Sequence, residues 1–250
     1  MPRKARVLSS TGFYHVIARG NNQLILFEDS RDYYKYLEKM CEYAEELNVT
    51  VHAYCLMNNH VHLLLSDEGF ALSTFMRKLG TSYSKHYNLK YIHSGHLFQD
   101  RFKSFPIDDS KRLLVTFRYI LNNPVKAGIC PANEYAWSSY SEYVEGDIYA
   151  DSQIFRKQIG DENHLLEFLK IDTAYDKKIK EEQKTGFTLM SDAAAQSIIR
   201  KKFLVESGVE IQQWPKEKKT FALRTLKGEG LSIRQISRLT GISRGVIKRA

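Results

Sequence analysis

Between Val49 and Leu65 the chain reads as two β-strands separated only by Asn58-Asn59, and a connection that short allows one arrangement, an antiparallel hairpin. That hairpin fixes the order of what surrounds it. Upstream, Phe13 to Arg19 is β-branched and aromatic and closes on Gly20-Asn21-Asn22, so a strand is expected there. Asp29-Ser30 then caps a predicted helix running to about Asn48, with Tyr33, Tyr36, Leu37, Met40, Tyr43, Ala44 and Leu47 on one face. Downstream, Ala71 to Asn88 repeats the helical period with Leu72, Phe75, Met76, Leu79, Tyr83 and Tyr87. Leu97 to Ile107 reads as a fourth strand, and Asp108-Asp109-Ser110 caps a third helix from about Lys111 to Leu121, stopped by Asn123-Pro124. The order β-α-β-β-α-β is the ferredoxin-like split arrangement, an α+β fold. With helices on one face of the antiparallel sheet, the other strand face would be free to carry a site.

No apolar run approaches the ~18 residues of a membrane span, and the basic opening Pro2-Arg-Lys-Ala-Arg6 lacks the apolar stretch of a signal peptide. A cytoplasmic protein without membrane attachment is expected. Cys41, Cys55 and Cys130 are far apart and form no Cys-x-x-Cys pair, which excludes a disulfide framework or a zinc knuckle.

The net charge of +8 is unevenly placed: residues 201–250 hold 12 Lys/Arg against 4 Asp/Glu, whereas the first 200 residues balance. A basic module appended to a neutral body points to an anionic polymer, nucleic acid before lipid. Within that module Leu231 to Arg249 fits a helix-turn-helix, with Ile233 and Ile236 inward, Gly241 in the turn, Ile242 as a plug and Ser243 as a cap. Arg234, Arg244, Lys248 and Arg249 would then face DNA. The organisation expected is a catalytic domain over 1–145, a helical linker region over 146–219, and a helix-turn-helix module over 220–250.

Chemistry concentrates on the hairpin's second strand. Side chains alternate along a strand, so His60 and His62 project to one side while Val61 points to the opposite core. Two imidazoles so placed can hold a divalent metal, and by themselves they fit a zinc hydrolase as well as any other metal enzyme. At the end of the third helix Tyr119 and Asn123 are four residues apart and share a face, so a phenolic nucleophile and an amide oxygen would point the same way.

These residues sit in longer motifs: Phe13-Tyr-His-Val-Ile-Ala-Arg-Gly-Asn-Asn22, His52 to His62, Gly95-His-Leu-Phe-Gln-Asp-Arg-Phe102, Arg118 to Gly128, and Tyr135-Ala-Trp-Ser-Ser-Tyr140. In order and spacing they resemble the REP-associated tyrosine transposases, a branch of the HUH single-tyrosine (Y1-type) superfamily, over residues 10 to about 143. The resemblance implies a metal pair at His60 and His62, a further ligand at Asn123, and Tyr119 as the nucleophile. It also implies Mg²⁺ or Mn²⁺ as cofactor and single-stranded or hairpin DNA, repetitive palindromic elements included, as partner of a monomer or homodimer. Two positions depart from the pattern: Asn58 stands where the family commonly has proline, and Asn123 where the wider superfamily often has glutamine.

The implied reaction is nicking and strand transfer. Tyr119 attacks a phosphate to give a 5′-phosphotyrosine and a free 3′-hydroxyl, and because the covalent link keeps the bond energy no ATP-binding loop is required. Arg19, Arg101, Lys103, Arg118 and Lys126 flank the motifs as candidate phosphate contacts, and Phe13, Tyr14, Phe98, Phe102 and Trp137 as aromatic candidates for stacking on bases. Two other readings compete: a non-catalytic DNA-binding regulator derived from a transposase, and a metal-dependent hydrolase or replication initiator.

Overall fold

A computed structural model describes residues 7–171, 176, 179, 192–228, 231 and 233–249. The chain divides into two compact units, Met1–Glu181 and Glu182–Ala250.

The first unit is built on four strands, β1 (Phe13–Arg19), β2 (Thr50–Met57), β3 (His60–Ser66) and β4 (Lys103–Ile107). They pair antiparallel in the order β2-β3-β1-β4. With helix α1 (Ser30–Leu47) between β1 and β2, and α2 (Leu72–Lys90) between β3 and β4, this is the expected split topology. α1 opens on a capping box, in which the Asp29 carboxylate accepts from the Arg31 and Asp32 amides and Asp32 reciprocates. It closes at Asn48 in the left-handed conformation. Tyr36, Leu37 and Met40 of α1 and Leu72, Phe75, Met76, Leu79, Tyr83 and Tyr87 of α2 are buried against Val16, Val61, Leu63 and Leu65 of the sheet.

Helices cover both faces of the sheet, not one. The strand face that carries the histidines also carries Ala53, Cys55, Met57, Leu64 and Ile107, an apolar surface too large to leave in water. It is covered by α3 (Ser110–Leu121), through Leu113, Phe117, Ile120 and Leu121, and by α5 (Tyr140–Glu145), α6 (Gln153–Ile159) and α7 (Glu162–Lys170). A one-turn helix, α4 (Asn123–Lys126), follows α3. Phe117 stacks on Phe155 at 4.0 Å between ring centroids. The expected linker over 146–219 is therefore divided: residues 153–170 complete the core of the first unit. Their apolar positions are sparse among charges, which made them read as a solvated spacer.

The fourth strand is shorter than the span 97–107 suggests. β1 ends at Arg19, and at Gly20, where a Cβ would collide with the Leu24 carbonyl oxygen, the chain turns into a short helical turn. Beyond that point residues 97–102 have no straight edge to follow. They are held to the end of β1 by a bridge from Phe98 to Gly20, a bond from the Gln99 amide to the Arg19 carbonyl (2.9 Å) and one from the Asn21 amide to the Leu97 carbonyl (2.8 Å).

The β2 edge of the sheet is occupied. On β2, the Leu56 amide donates to the Trp137 carbonyl (2.8 Å), the Ser139 amide to the Tyr54 carbonyl (3.0 Å), and the Tyr54 amide to Ser139 Oγ (3.0 Å). On β4, Pro106 has no amide hydrogen, and the Ile107 carbonyl accepts from the hydroxyls of Ser9 and Thr11.

The second unit packs α8 (Asp192–Phe203), α9 (Lys216–Gly228), α10 (Ile233–Thr240) and α11 (Arg244–Arg249) around Ile199, Ile211, Leu223, Leu226, Ile236, Leu239 and Ile247. Gly241, at φ +72°, makes the turn between the last two helices, and Ile242 is buried beneath it. No helix among the described residues is long and apolar enough to cross a membrane.

Candidate active site

Register brings the histidines together. Arg19 pairs with His60, Ile17 with His62 and His15 with Leu64, so His15, Ile17 and Arg19 share a sheet face with His60 and His62. β4 adds Lys103 opposite Ile17 and Phe105 opposite His15 on the same face.

Each metal-candidate imidazole is tied down at Nδ1. His60 Nδ1 lies 2.7 Å from Asn59 Oδ1, and His62 Nδ1 lies 3.0 Å from His15 Nε2. An amide oxygen only accepts, so His60 donates from Nδ1 and its Nε2 keeps a free lone pair. For His62 the same outcome follows when it donates to His15. Burial, then the nearby Arg19 charge, push His60 down to about 4. Burial lowers His62 well below the usual imidazole range, helped by His60, His15, Lys126 and Arg19. Burial, Arg112 and Lys126 push His15 to about 3. All three rings are therefore neutral at physiological pH, the form in which an imidazole ligates metal.

Tyr119 reaches this cluster from α3. Its ring centroid is 6.0 Å from that of His62 and 6.0 Å from that of His15, edge-on to both. Lys126 Nζ lies 3.7 Å from the centre of the Tyr119 ring. Ile179 packs on the same ring and on Val115, and Tyr119 is buried. α3 stops at Leu121, so Tyr119 and Asn123 do not lie on one continuous helix. They are joined instead by Asn123 Nδ2, which donates to the Tyr119 carbonyl (2.9 Å) and the Ile120 carbonyl (3.2 Å). That bond commits the amide nitrogen and leaves Asn123 Oδ1 as the end that can face a cation.

The candidate phosphate contacts separate by environment. Arg101 is exposed, and Arg19 is half-buried with its Nε lacking a hydrogen-bond partner. Lys103 is half-buried, and burial lowers its ammonium pKa. Arg118 is not at the surface: only 2% exposed, it pairs with Asp176 and lies over the Phe168 ring. A residue at that position of α3 faces Phe168 of α7, a segment expected as helical linker and not as part of the core. Lys126 also approaches Asp176, at 3.4 Å. On α11 Arg244, Lys248 and Arg249 are exposed. Arg234 lies on α10, with its side chain outside the described residues. Of the aromatic candidates, Tyr14 is core and Trp137 stacks on Tyr33 at 4.1 Å.

Sequence reasoning missed His15 and Asn59. His15 was legible in principle, since an antiparallel pairing of its strand with His60–Leu65 in this register puts it on the histidine face.

The donor set suits a hard divalent cation incompletely. Among the described residues no group of three or more His, Cys, Asp or Glu side chains is placed to hold a metal. Two Nε2 lone pairs and one amide oxygen would leave the remaining positions to water and substrate oxygens, as Mg²⁺ and Mn²⁺ sites commonly do.

Residues 9–123 match the family described as "Transposase IS200 like". Two solved structures are similar to the chain. One is a REP-associated tyrosine transposase bound to a REP hairpin, 19% identical over 57% of this chain and 84% of the other, with a TM-score of 0.49. The other is a Deinococcus radiodurans protein described as a transposase, 19% identical over 48% of this chain and 96% of the other, with a TM-score of 0.34. No curated protein matches the chain.

Proposed function

We propose that the chain nicks and rejoins single-stranded DNA, hairpin-bearing strands included, through a covalent tyrosine intermediate. The observation that carries this reading is the Tyr119 ring edge-on to His62, 6.0 Å away, on the face where two imidazoles are held with Nε2 open. In this reading His62 donates from Nδ1 to His15, and a phosphodiester is bound beside His60, His62 and Tyr119.

The Tyr119 oxygen attacks phosphorus and forms the P–O bond as the bond to the 3′-oxygen breaks. The phenolic proton ends on that 3′-hydroxyl, and the 5′-phosphate stays on tyrosine. A 3′-hydroxyl from another end reverses the step and joins strands. Lys126, against the ring, favours the negative charge that builds on the phenolic oxygen. Arg19 and Lys103, on the histidine face, and the exposed Arg101 would take the flanking phosphates. Mg²⁺ or Mn²⁺ held by His60 and His62, with Asn123 as a further donor, would polarise a phosphate oxygen and orient the scissile bond.

In the second unit, the pair of short helices around Gly241 serves as a helix-turn-helix, with Arg244, Lys248 and Arg249 on the DNA backbone. Arg234 belongs to the same set by sequence position.

The test is incubation with a hairpin oligonucleotide carrying single-stranded arms, with Mg²⁺ or Mn²⁺, followed by a denaturing gel. Wild type is expected to leave a protein–DNA adduct and Tyr119→Phe none. Adduct surviving that substitution would overturn the nucleophile assignment, and DNA binding without adduct in wild type would favour the regulator reading.

A further inference from the structure

On the sheet face away from the histidines, a cavity of about 620 Å³ opens between α2 and the loop 95–102. Its floor is apolar, made by Ala18, Tyr36, Met76 and Leu97. Phe98 and Phe102, both half-buried, stand at its walls, and Arg77 and Arg101, both exposed, at its rim. Ser73, Thr81 and Ser84 put hydroxyls around the opening, and Asp100 is the one acid among its lining residues.

These groups select a ligand chemistry. Aromatic rings beside an apolar floor stack a planar heterocycle, hydroxyls that both donate and accept can read its edge, and two guanidinium groups at the mouth take a phosphate. The volume lies within the range of small-ligand pockets, so a single nucleotide fits, whereas a duplex does not. The occupant is then a base that has left, or never joined, a double helix.

The cavity is connected to the histidine face by the loop that walls it. Gln99 bonds to the Arg19 carbonyl, Asn21 to the Leu97 carbonyl, and the same segment enters β4 at Lys103, opposite Ile17. Arg19 itself pairs with His60. Residues 97–102 therefore form a wall of the cavity and also contact the end of the strand that carries Arg19.

We infer that this cavity binds one unpaired nucleotide of the DNA strand whose neighbouring phosphate is offered to Tyr119, and that it thereby sets the position of the cut by base identity. The inference rests on the single-strand reading above and adds to it a second site, which shares only Arg101 with the first.

Gly80 offers a clean perturbation. It lies within α2 at the cavity wall, where a Cβ would meet the Phe98 ring at an ordinary 3.8 Å, so the backbone tolerates a side chain whose further atoms enter the cavity. The experiment is selection, in EDTA and with the full chain, from a hairpin library whose single-stranded arms are randomised. Wild type is expected to enrich one base at one arm position by about tenfold, the scale of one stacked base. Gly80→Met should lose that enrichment while its affinity for the unselected library stays within about threefold. Equal enrichment in Gly80→Met, or none in wild type, overturns the proposal. If Gly80→Met does not fold, Thr81→Phe, on the exposed rim, carries the same expectations. The two readings fail separately: adduct without base enrichment sinks the pocket, and enrichment without adduct sinks the cleavage.

Discussion

Replacing His15 by phenylalanine keeps a ring of similar size on β1 and removes one thing, the nitrogen 3.0 Å from His62 Nδ1. Both residues are buried, at 2% and 3% exposure, so water does not readily replace the lost partner. Leaving a buried donor unpaired costs about 1–3 kcal/mol. His62 can avoid the cost by moving its proton to Nε2, but that occupies the lone pair proposed for the metal. Either way the bound state loses, and the penalty corresponds to roughly a 10- to 100-fold weaker metal affinity, the usual effect of removing the group that orients a ligating histidine. Mn²⁺ titration followed by electron paramagnetic resonance measures this directly on the full chain. His15→Gln, whose amide oxygen can accept from Nδ1, is expected to stay within a few-fold of wild type. Nitrogen-15 spectra of the imidazoles should show His62 as the Nδ1–H tautomer in wild type and changed in His15→Phe. Wild-type Mn²⁺ affinity in His15→Phe would refute the argument, because the metal would then not depend on which nitrogen carries the proton.

Acid stability should depend on Asp32. Burial alone would raise its pKa, but hydrogen bonds from Lys90, Tyr91 and the Glu28 and Asp29 amides outweigh burial and bring it to about 2. A carboxylate depressed in the folded state stabilises above its unfolded pKa, so this contribution is lost as pH falls from about 4 towards 2. Urea midpoints for Asp32→Asn should be lower than wild type at pH 7 and converge with it only as pH reaches about 2; parallel curves would contradict the assignment. In the second unit, the triple change of Arg244, Lys248 and Arg249 to glutamine should weaken duplex binding and lower the slope of log affinity against log salt by about 2–3. An unchanged slope would remove these side chains from the DNA interface.

The split α+β topology was legible because each of its signals is local. The Asn58-Asn59 connection, the Asp29 cap and the helical periods of α1 and α2 need only neighbouring residues to act, and the strands flanking them then have one antiparallel solution. His60 and His62 followed from alternation alone. What was not legible depended on contacts between distant segments. α6 and α7 read as solvated because their apolar residues make sense only against Phe117 and its neighbours. Arg118 read as a surface cation because its partner, Asp176, is 58 positions away. His15 lay in a strand that was recognised, but the pairing register that brings it to His62 is a property of two strands together.

The occupied β2 edge constrains how copies of this chain could associate. Strand addition needs a row of unpaired amides and carbonyls, and β2 does not offer one. The other outer strand, β4, carries Pro106, which has no amide hydrogen to give to a neighbouring strand. On β2 the outward groups of Tyr54 and Leu56 are already spent on residues 137–139. A second sheet therefore cannot add to β2 without first peeling off a segment that belongs to the same fold.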